Sequence, residues 1–511
     1  MVLLISTGDV IMTNNNIKLK RKKIAGSSVR NKLKVLSVLM VVGIFVLTAF
    51  VTVYDHPSLG SSGIAVPSAS SGSKVTITVW GSGSPGGEAD VFNSTLAYFE
   101  QVYPNVTVDD SPAVGIASTT YTSAAHAGTA PDIYRDSSDN AGVLYAEGTV
   151  LALNKYLNST YINSFSPGTI TAWSANNSLY GIPVNTNGVG LYYNSALVKT
   201  APKTIYQMIQ DSLNVTHNTT LNPAGSPTKV WGLAYGLGTD SGYRSAAWFP
   251  AFGGTIFNSK QMPVLNSTAD INAISFLYNL TYKYKISPTG LTSMTEQYNL
   301  FEDNQSAFMI DGPWDQSTYS HYLGSNLHVT ALPFNNVTGL WPTPIWGSVG
   351  YFISSPQASG ITSSQIWASL KFIEMLTNET AQVHLFDKAG DFPSSLAAGS
   401  YITAHSNNDP LIKGWLAQEN HTMPQPGFVN MNYYWPNFHT YVGNLYDNGT
   451  NNVSQVMNNF QKAVVSEINE VSSTPTSAKL SISLYEILGI VAAVIIIVAA
   501  ASFVYVRKKK N

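Results

Sequence analysis

The stretch FEDNQSAFMIDGPW, residues 301–314, decides how this chain is read. Glu302, Asp303, Asn304 and Gln305 are polar and turn-prone, Ala307, Phe308, Met309 and Ile310 form an apolar run of buried-strand length, and Asp311, Gly312 and Pro313 must end the strand. Trp314 therefore lands just past a strand's carboxyl end. In open α/β sheets that edge is where ligands bind, and an indole offers a flat apolar platform with one hydrogen-bond donor. Read from the residues alone, a core Trp after a turn fits equally well.

Upstream, KVTITVW at 74–80 alternates like a half-buried strand, Phe92, Leu96, Phe99 and Tyr103 recur at helical spacing until Pro104, and NVTV at 105–108 is a second strand. Strand, helix, strand is the order of a parallel α/β unit. Gly81, Gly83 and Gly86 between them imitate a dinucleotide fingerprint. Trp80 is too bulky for that turn, and Glu88 in the first helical turn would repel a pyrophosphate, so no cofactor is expected and the loop reads as a rim beside Trp80.

PDIY at 131–134 is another short strand, followed by a hydrogen-bonding cluster that includes Asp136 and Asp139, ligand contacts or plain helix caps. Residues 231–257 are rich in Gly and aromatics, with Tyr243 and Trp248 as further platforms or as core. A helix is expected over 266–284, signalled by Ser267 and Asp270, with Ile271, Ile274, Leu277 and Leu280 on one face. Trp346 opens a strand, a helix over 365–376 buries Ile366, Leu370 and Ile373, and Thr377-Asn378 ends it and caps the next. Tyr434 and Trp435 close a last aromatic cluster before a final helix over 453–468.

Three segments resemble, in order, the family 1 extracellular solute-binding proteins, the maltose-binding-protein-like sugar receptors of ABC importers: PDIY…AEGTVLAL (131–153), YGIP…LYYN (180–194) and F…SAFMIDGPW (301–314). The resemblance implies a two-lobed α/β fold of the type II periplasmic-binding-protein class with discontinuous lobes. The first lobe takes about 74–185 and 334–377, the second about 186–333 and 378–470. It also implies a sugar, an oligosaccharide given the many aromatics, held in the cleft and passed to permease subunits in the membrane, with no catalytic residue. Sugar contacts then fall to Trp314, Asn187, Asp136 and Asp139, with Trp80, Tyr243, Trp248, Trp346, Tyr434 and Trp435 as additional candidates. Members of the family often carry an acid at the place of Asn187, so the amide keeps hydroxyl recognition but not the charge. The competing readings are a surface glycosidase, which needs only two carboxylates, and a structural surface glycoprotein. No HExxH, GxSxG or P-loop motif is present, and no metal site is assigned.

At 511 residues the chain is too long for one core, which agrees with two lobes. A basic amino-terminus, 1–34, precedes an uncharged stretch at 35–54, and a second uncharged run within 484–506 precedes the basic tail 507–511. Both are long enough to span a bilayer, and both basic flanks are expected in the cytoplasm, which puts the middle outside. The first stretch reads as an uncleaved anchor or a signal peptide. Linkers rich in Gly, Ser and Pro at 55–73 and 471–483 bound the folded part.

Residues 55–483 carry 15 Lys/Arg against 27 Asp/Glu, a net charge of −12 that argues against nucleic acid as a partner. Only 11% of the whole chain is charged, against roughly 25% in typical globular proteins. So few charges lead to the expectation of a protein suited to acid, with stability nearly flat as pH falls. There is no Cys and hence no disulfide. Fourteen Asn-x-Ser/Thr sequons all lie between the two apolar stretches, and they mark an N-glycosylated outer surface of the kind that, with two anchors, looks archaeal. Their asparagines are Asn93, Asn105, Asn158, Asn176, Asn214, Asn218 and Asn266, then Asn279, Asn304, Asn336, Asn378, Asn420, Asn448 and Asn452.

Overall fold

In chain order the main strands are β1 (Val75–Trp80), β2 (Val106–Asp109), β3 (Ile133–Ser137), β4 (Gly181–Pro183), β5 (Gly190–Asn194), β6 (Trp231–Ala234), β7 (Ser306–Asp311), β8 (Leu327–Thr330) and β9 (Val349–Ile353). They form two sheets, one per lobe, ordered β2-β1-β3-β9-β4 and β6-β7-β5-β8. β1 runs parallel to β2 and β3, while β9 returns antiparallel between β3 and β4. In the second sheet β6 and β7 are parallel, and β5 is antiparallel to both β7 and β8. The computed structural model describes residues 74–473, apart from 84–86, 111–116, 218–219, 222–226, 237–240, 292, 406–408, 448 and 450–451.

Local chemistry explains the elements. β1 buries Val75, Ile77 and Val79 and exposes Thr76, the alternation of a half-covered strand, whereas every residue of β7 is buried, as suits the continuous apolar run at 307–310. The helix Gly87–Val102 covers the first sheet with Phe92 and Phe99, and both rings meet Phe372 of the helix Ser363–Leu376. That second helix starts in a capping box made by Thr362 and Gln365. Ser267 caps Thr268–Tyr282 by accepting from Asp270 N, and Asn378 caps Glu379–Ala389 by accepting from Ala381 N.

The chain passes between the lobes three times. Residues 184–189 make the first passage and Gly347-Ser348 the second. The third runs over 391–396, where Phe392 packs in the second core while Ser395 bridges Phe165 of the first lobe. Asn187 and Gly347 exchange backbone hydrogen bonds of 2.8 and 2.7 Å, and Thr186 N donates to Phe392 O at 2.8 Å, so the three passages form one hinge strap. These passages differ from the expected ones at 334 and 377. Phe334 pairs with Thr204, Asn335 donates to Ala251 O, and Ile345 sits in the second core, so 334–346 belongs to the second lobe. Leu385 of Glu379–Ala389 lies in the first core, which extends that lobe past 377.

The expected terminal segments 1–34, 35–54, 55–73, 484–506 and 507–511 lie outside the described residues. Of the linker placed at 471–483, the first three residues continue the last helix, Val453–Ser473. Among the described residues no helix is long and apolar enough to cross a membrane. Asn218 and Asn448 also lie outside them, and none of the other twelve sequon asparagines is buried. The buried asparagines, Asn185, Asn187, Asn194, Asn335 and Asn437, all fall outside sequons.

Candidate binding cleft

β7 ends as expected at Asp311, and the indole of Trp314 folds back over Gly312, where a Cβ would lie 2.1 Å from the ring. Only glycine permits that fold. The ring is 39% exposed and looks into a cavity of about 310 Å³ between the lobes. Tyr243 stands beside it, with ring centroids 6.2 Å apart, and Trp435 follows at 6.3 Å from Tyr243. Three aromatic rings therefore wall the second-lobe side. Ser137 and Asp139 face them from the first lobe, with Asn185, Asn187 and Ser348 from the hinge strap and Gln425 from the second lobe.

Tyr243 is also a hinge tie. Its hydroxyl lies 2.9 Å from both Asn187 O of the first passage and Ile345 O, just before the second, so it can donate to either. Among the described residues Asp139 is the one acid that lines the cavity. Burial raises its carboxyl above the usual range, with Ser137 and nearby backbone holding it down. Its Oδ1 has no hydrogen-bond partner, and the Trp435 indole N–H points toward it without completing a bond.

Several expected contacts have other places. Trp248 and Tyr434 are fully buried in the second core, because each lies on the inward face of its short helix; Trp248 packs on Phe276 and Tyr434 on Phe460. Trp80 is half-buried and packs on the cluster holding Tyr121 and Tyr134, not in the cavity. Asp136 is consumed locally, accepting from Tyr134 Oη, Asn140 Nδ2 and Ser137 N. Asn187 does border the cavity, but its amide is engaged: Nδ2 donates to Asp391 Oδ1 at 2.6 Å, and Oδ1 accepts from Phe392 N at 3.1 Å. Its side chain joins two passages of the hinge. Trp346 covers Gly188 and borders a separate groove of about 670 Å³, which also touches Thr186, Phe392 and Ser395. Asn185 and Asn187 face the cleft while Thr186 between them faces that groove, as alternation in an extended segment requires.

Buried and half-buried acids surround the hinge and cleft in pairs. Glu88 binds Arg135 at 2.5 Å and neighbours Asp391, whose carboxyl is pushed up to about 7 by burial and by Glu88. Asp136 rises to about 7 through burial and Asp139. Beneath Trp314, Asp311 pairs with Arg244 at 2.6 Å and accepts from Tyr319, while burial and Asp311 push Asp315 to about 7. The Gly81/Gly83 loop lies against the first of these pairs, leaving no space for a Cβ beside Glu88 or Arg135.

Sequence reasoning missed Gln425, Asn185 and Ser348. No local signal marks them, since each reaches the cavity only because the hinge brings 185, 348 and 425 together.

Two lobes, a three-passage hinge and an aromatic-walled cavity between them define a hinged ligand-binding protein. The chain belongs to the bacterial extracellular solute-binding protein family, which it matches over residues 96–414. It is 26% identical to the maltooligosaccharide ABC transporter solute-binding lipoprotein of Streptococcus pneumoniae over 314 residues, 60% of this chain and 70% of that protein. It is 23% identical to the maltotriose-binding protein of Pyrococcus abyssi over 366 residues, 70% of this chain and 75% of that one. Its fold resembles the maltose/maltodextrin-binding domain of Bdellovibrio bacteriovorus bound to maltotriose, with a TM-score of 0.67 at 24% identity, covering 77% of this chain and 100% of that domain.

Proposed function

We propose that this protein captures a maltooligosaccharide-class sugar outside the cell and delivers it to the permease of an ABC importer. The observation that carries this is the row Trp314, Tyr243, Trp435 facing hydroxyl, amide and carboxylate groups across an interlobe cavity. Pyranose faces are apolar and stack on such rings, while their edges need donors and acceptors. Trp314, Tyr243, Trp435 and Asp139 are the proposed contacts. Hydrolysis would call for two carboxylates about the scissile bond, and among the described residues one acid lines the cavity, which favours holding a sugar over breaking it.

Full-length protein in detergent should melt higher with maltotriose, by an amount that grows with concentration as mass action requires. An unchanged melting temperature with maltose, maltotriose and maltotetraose would overturn the reading, and release of shorter sugars would replace it with the enzyme. The apolar segments within 35–54 and 484–506 are proposed anchors, with the sequon-bearing surface outside. Protease added to intact cells should then remove the middle of the chain while tags at both ends stay protected; loss of both tags would defeat this topology.

A further inference from the structure

We propose that Gln425 is the specificity-determining hydrogen-bonding residue of the cleft, and that the ligand it selects is a neutral polyhydroxy compound rather than an anion. The inference rests on the binding reading above and deepens it. Gln425 follows the short strand Met423–Pro424, which pairs in parallel with Ile345–Trp346, and its backbone N donates to Trp346 O at 3.3 Å. This fixes the residue to the second hinge passage. Its side chain is 4% exposed, lines the cavity and ends over Gly347, where a Cβ would lie 2.3 Å from Oε1.

No described residue hydrogen-bonds that amide. Other buried amides in this chain are engaged: Gln418 donates to His421 O and accepts from Leu332 N, Gln382 donates to Thr377 O and accepts from Ser395 N, and Asn187 bridges two hinge passages. An amide that lines the cavity with neither end engaged by a described residue is open to a partner from outside the chain. A primary amide offers a donor and an acceptor in one plane, the complement of two adjacent hydroxyls.

The surroundings select against charge. Asp139 Oδ1 and Trp435 Nε1 lie near each other on the cavity wall, an acceptor and a donor without a completed hydrogen bond. Among the described residues no Lys or Arg lines the cavity. The half-buried Arg135 and the buried Arg244 nearby are already neutralised, by Glu88 and Asp311 respectively. A phosphate or carboxylate entering here would lose its hydration and meet one carboxylate and no cation. Hydroxyls would meet an amide, an indole N–H and a carboxylate oxygen.

The test is titration calorimetry of maltotriose with the wild-type chain, Gln425→Ala and Gln425→Met, with melting temperatures taken without sugar. Both variants should bind about tenfold more weakly, since Met keeps the volume but not the hydrogen bonds, and both should melt within a degree or two of wild type. Maltose should bind at least a hundredfold better than maltose 6′-phosphate. Variants that bind like wild type, a Met variant that alone recovers full affinity, a large fall in melting temperature, or equal binding of the phosphorylated sugar would each overturn the inference. Failure of the wild type itself to bind maltotriose or maltose would instead overturn the proposed function.

Discussion

Replacing Trp248 by Ala should cost roughly 3–5 kcal/mol of stability, the range for a large buried aromatic, and so a large share of what holds a typical domain together. Trp248 is 0% exposed, and its ring packs on Phe276 with centroids 4.8 Å apart. Trp314→Ala should behave in the opposite way. Its ring is 39% exposed and rests on a glycine, so truncation leaves little cavity and changes unfolding by less than ~1 kcal/mol. In the complex the platform is lost, and maltotriose affinity should fall by roughly 1–3 kcal/mol, about tenfold to a hundredfold. Urea denaturation and calorimetry on the two variants separate the cases. A Trp314→Ala protein that is badly destabilised yet binds normally would remove the indole from the site.

The two tryptophans also show where sequence stops. Trp314 was legible because Asp311-Gly312-Pro313 ends a continuous apolar strand, which places the next side chain at a sheet edge whatever the rest of the fold does. Trp248 lies in a helix of four residues, too short for any periodicity to reveal which side faces inward. Tyr434 and Trp435 are adjacent in one short helix and point apart, one into the core and one into the cleft. Composition identified that cluster, but only packing against Phe460 sorts its members.

Helices with caps were readable for the same local reason. Ser267 and Asn378 both cap as their side chains allow, and the strand-helix-strand order of 75–109 gives the parallel pair β1 and β2. The hinge was harder. Ala331-Leu332-Pro333-Phe334 has the look of a passage, yet Phe334 stays with Thr204 and the passage waits for Gly347. Asn187, expected to meet the ligand, borders the cleft, but its amide is used to hold Asp391 and Phe392, a partnership over 200 residues apart that no spacing rule encodes.

Acid should stabilise this protein, and that prediction turns on the same long-range partnerships. Few charges alone led to the expectation of a flat pH response, but the structure buries carboxyls beside carboxyls: Asp391 by Glu88, Asp136 by Asp139, Asp315 by Asp311. In the unfolded chain such groups titrate near 4, whereas in the folded protein Asp136, Asp315 and Asp391 are each pushed up to about 7 and Asp270 to about 6. Between those values the folded state holds more protons than the unfolded one. The resulting stability is fully present below about pH 4 and is lost as pH rises through about 7. A lone carboxyl lifted that far would contribute roughly 4 kcal/mol. Because each has a coupled neighbour, the total should stay well short of three such contributions, on the order of a few kcal/mol. His421, lowered by burial, acts in the other direction, but it is a single group only partly buried. The melting temperature should therefore fall by several degrees between pH 4.5 and 7.5, and Asp391→Asn, which keeps the amide-compatible shape without the titration, should make that fall shallower. A protein that melts at the same temperature or higher at pH 7.5 would show that the paired carboxyls are not protonated in the folded state.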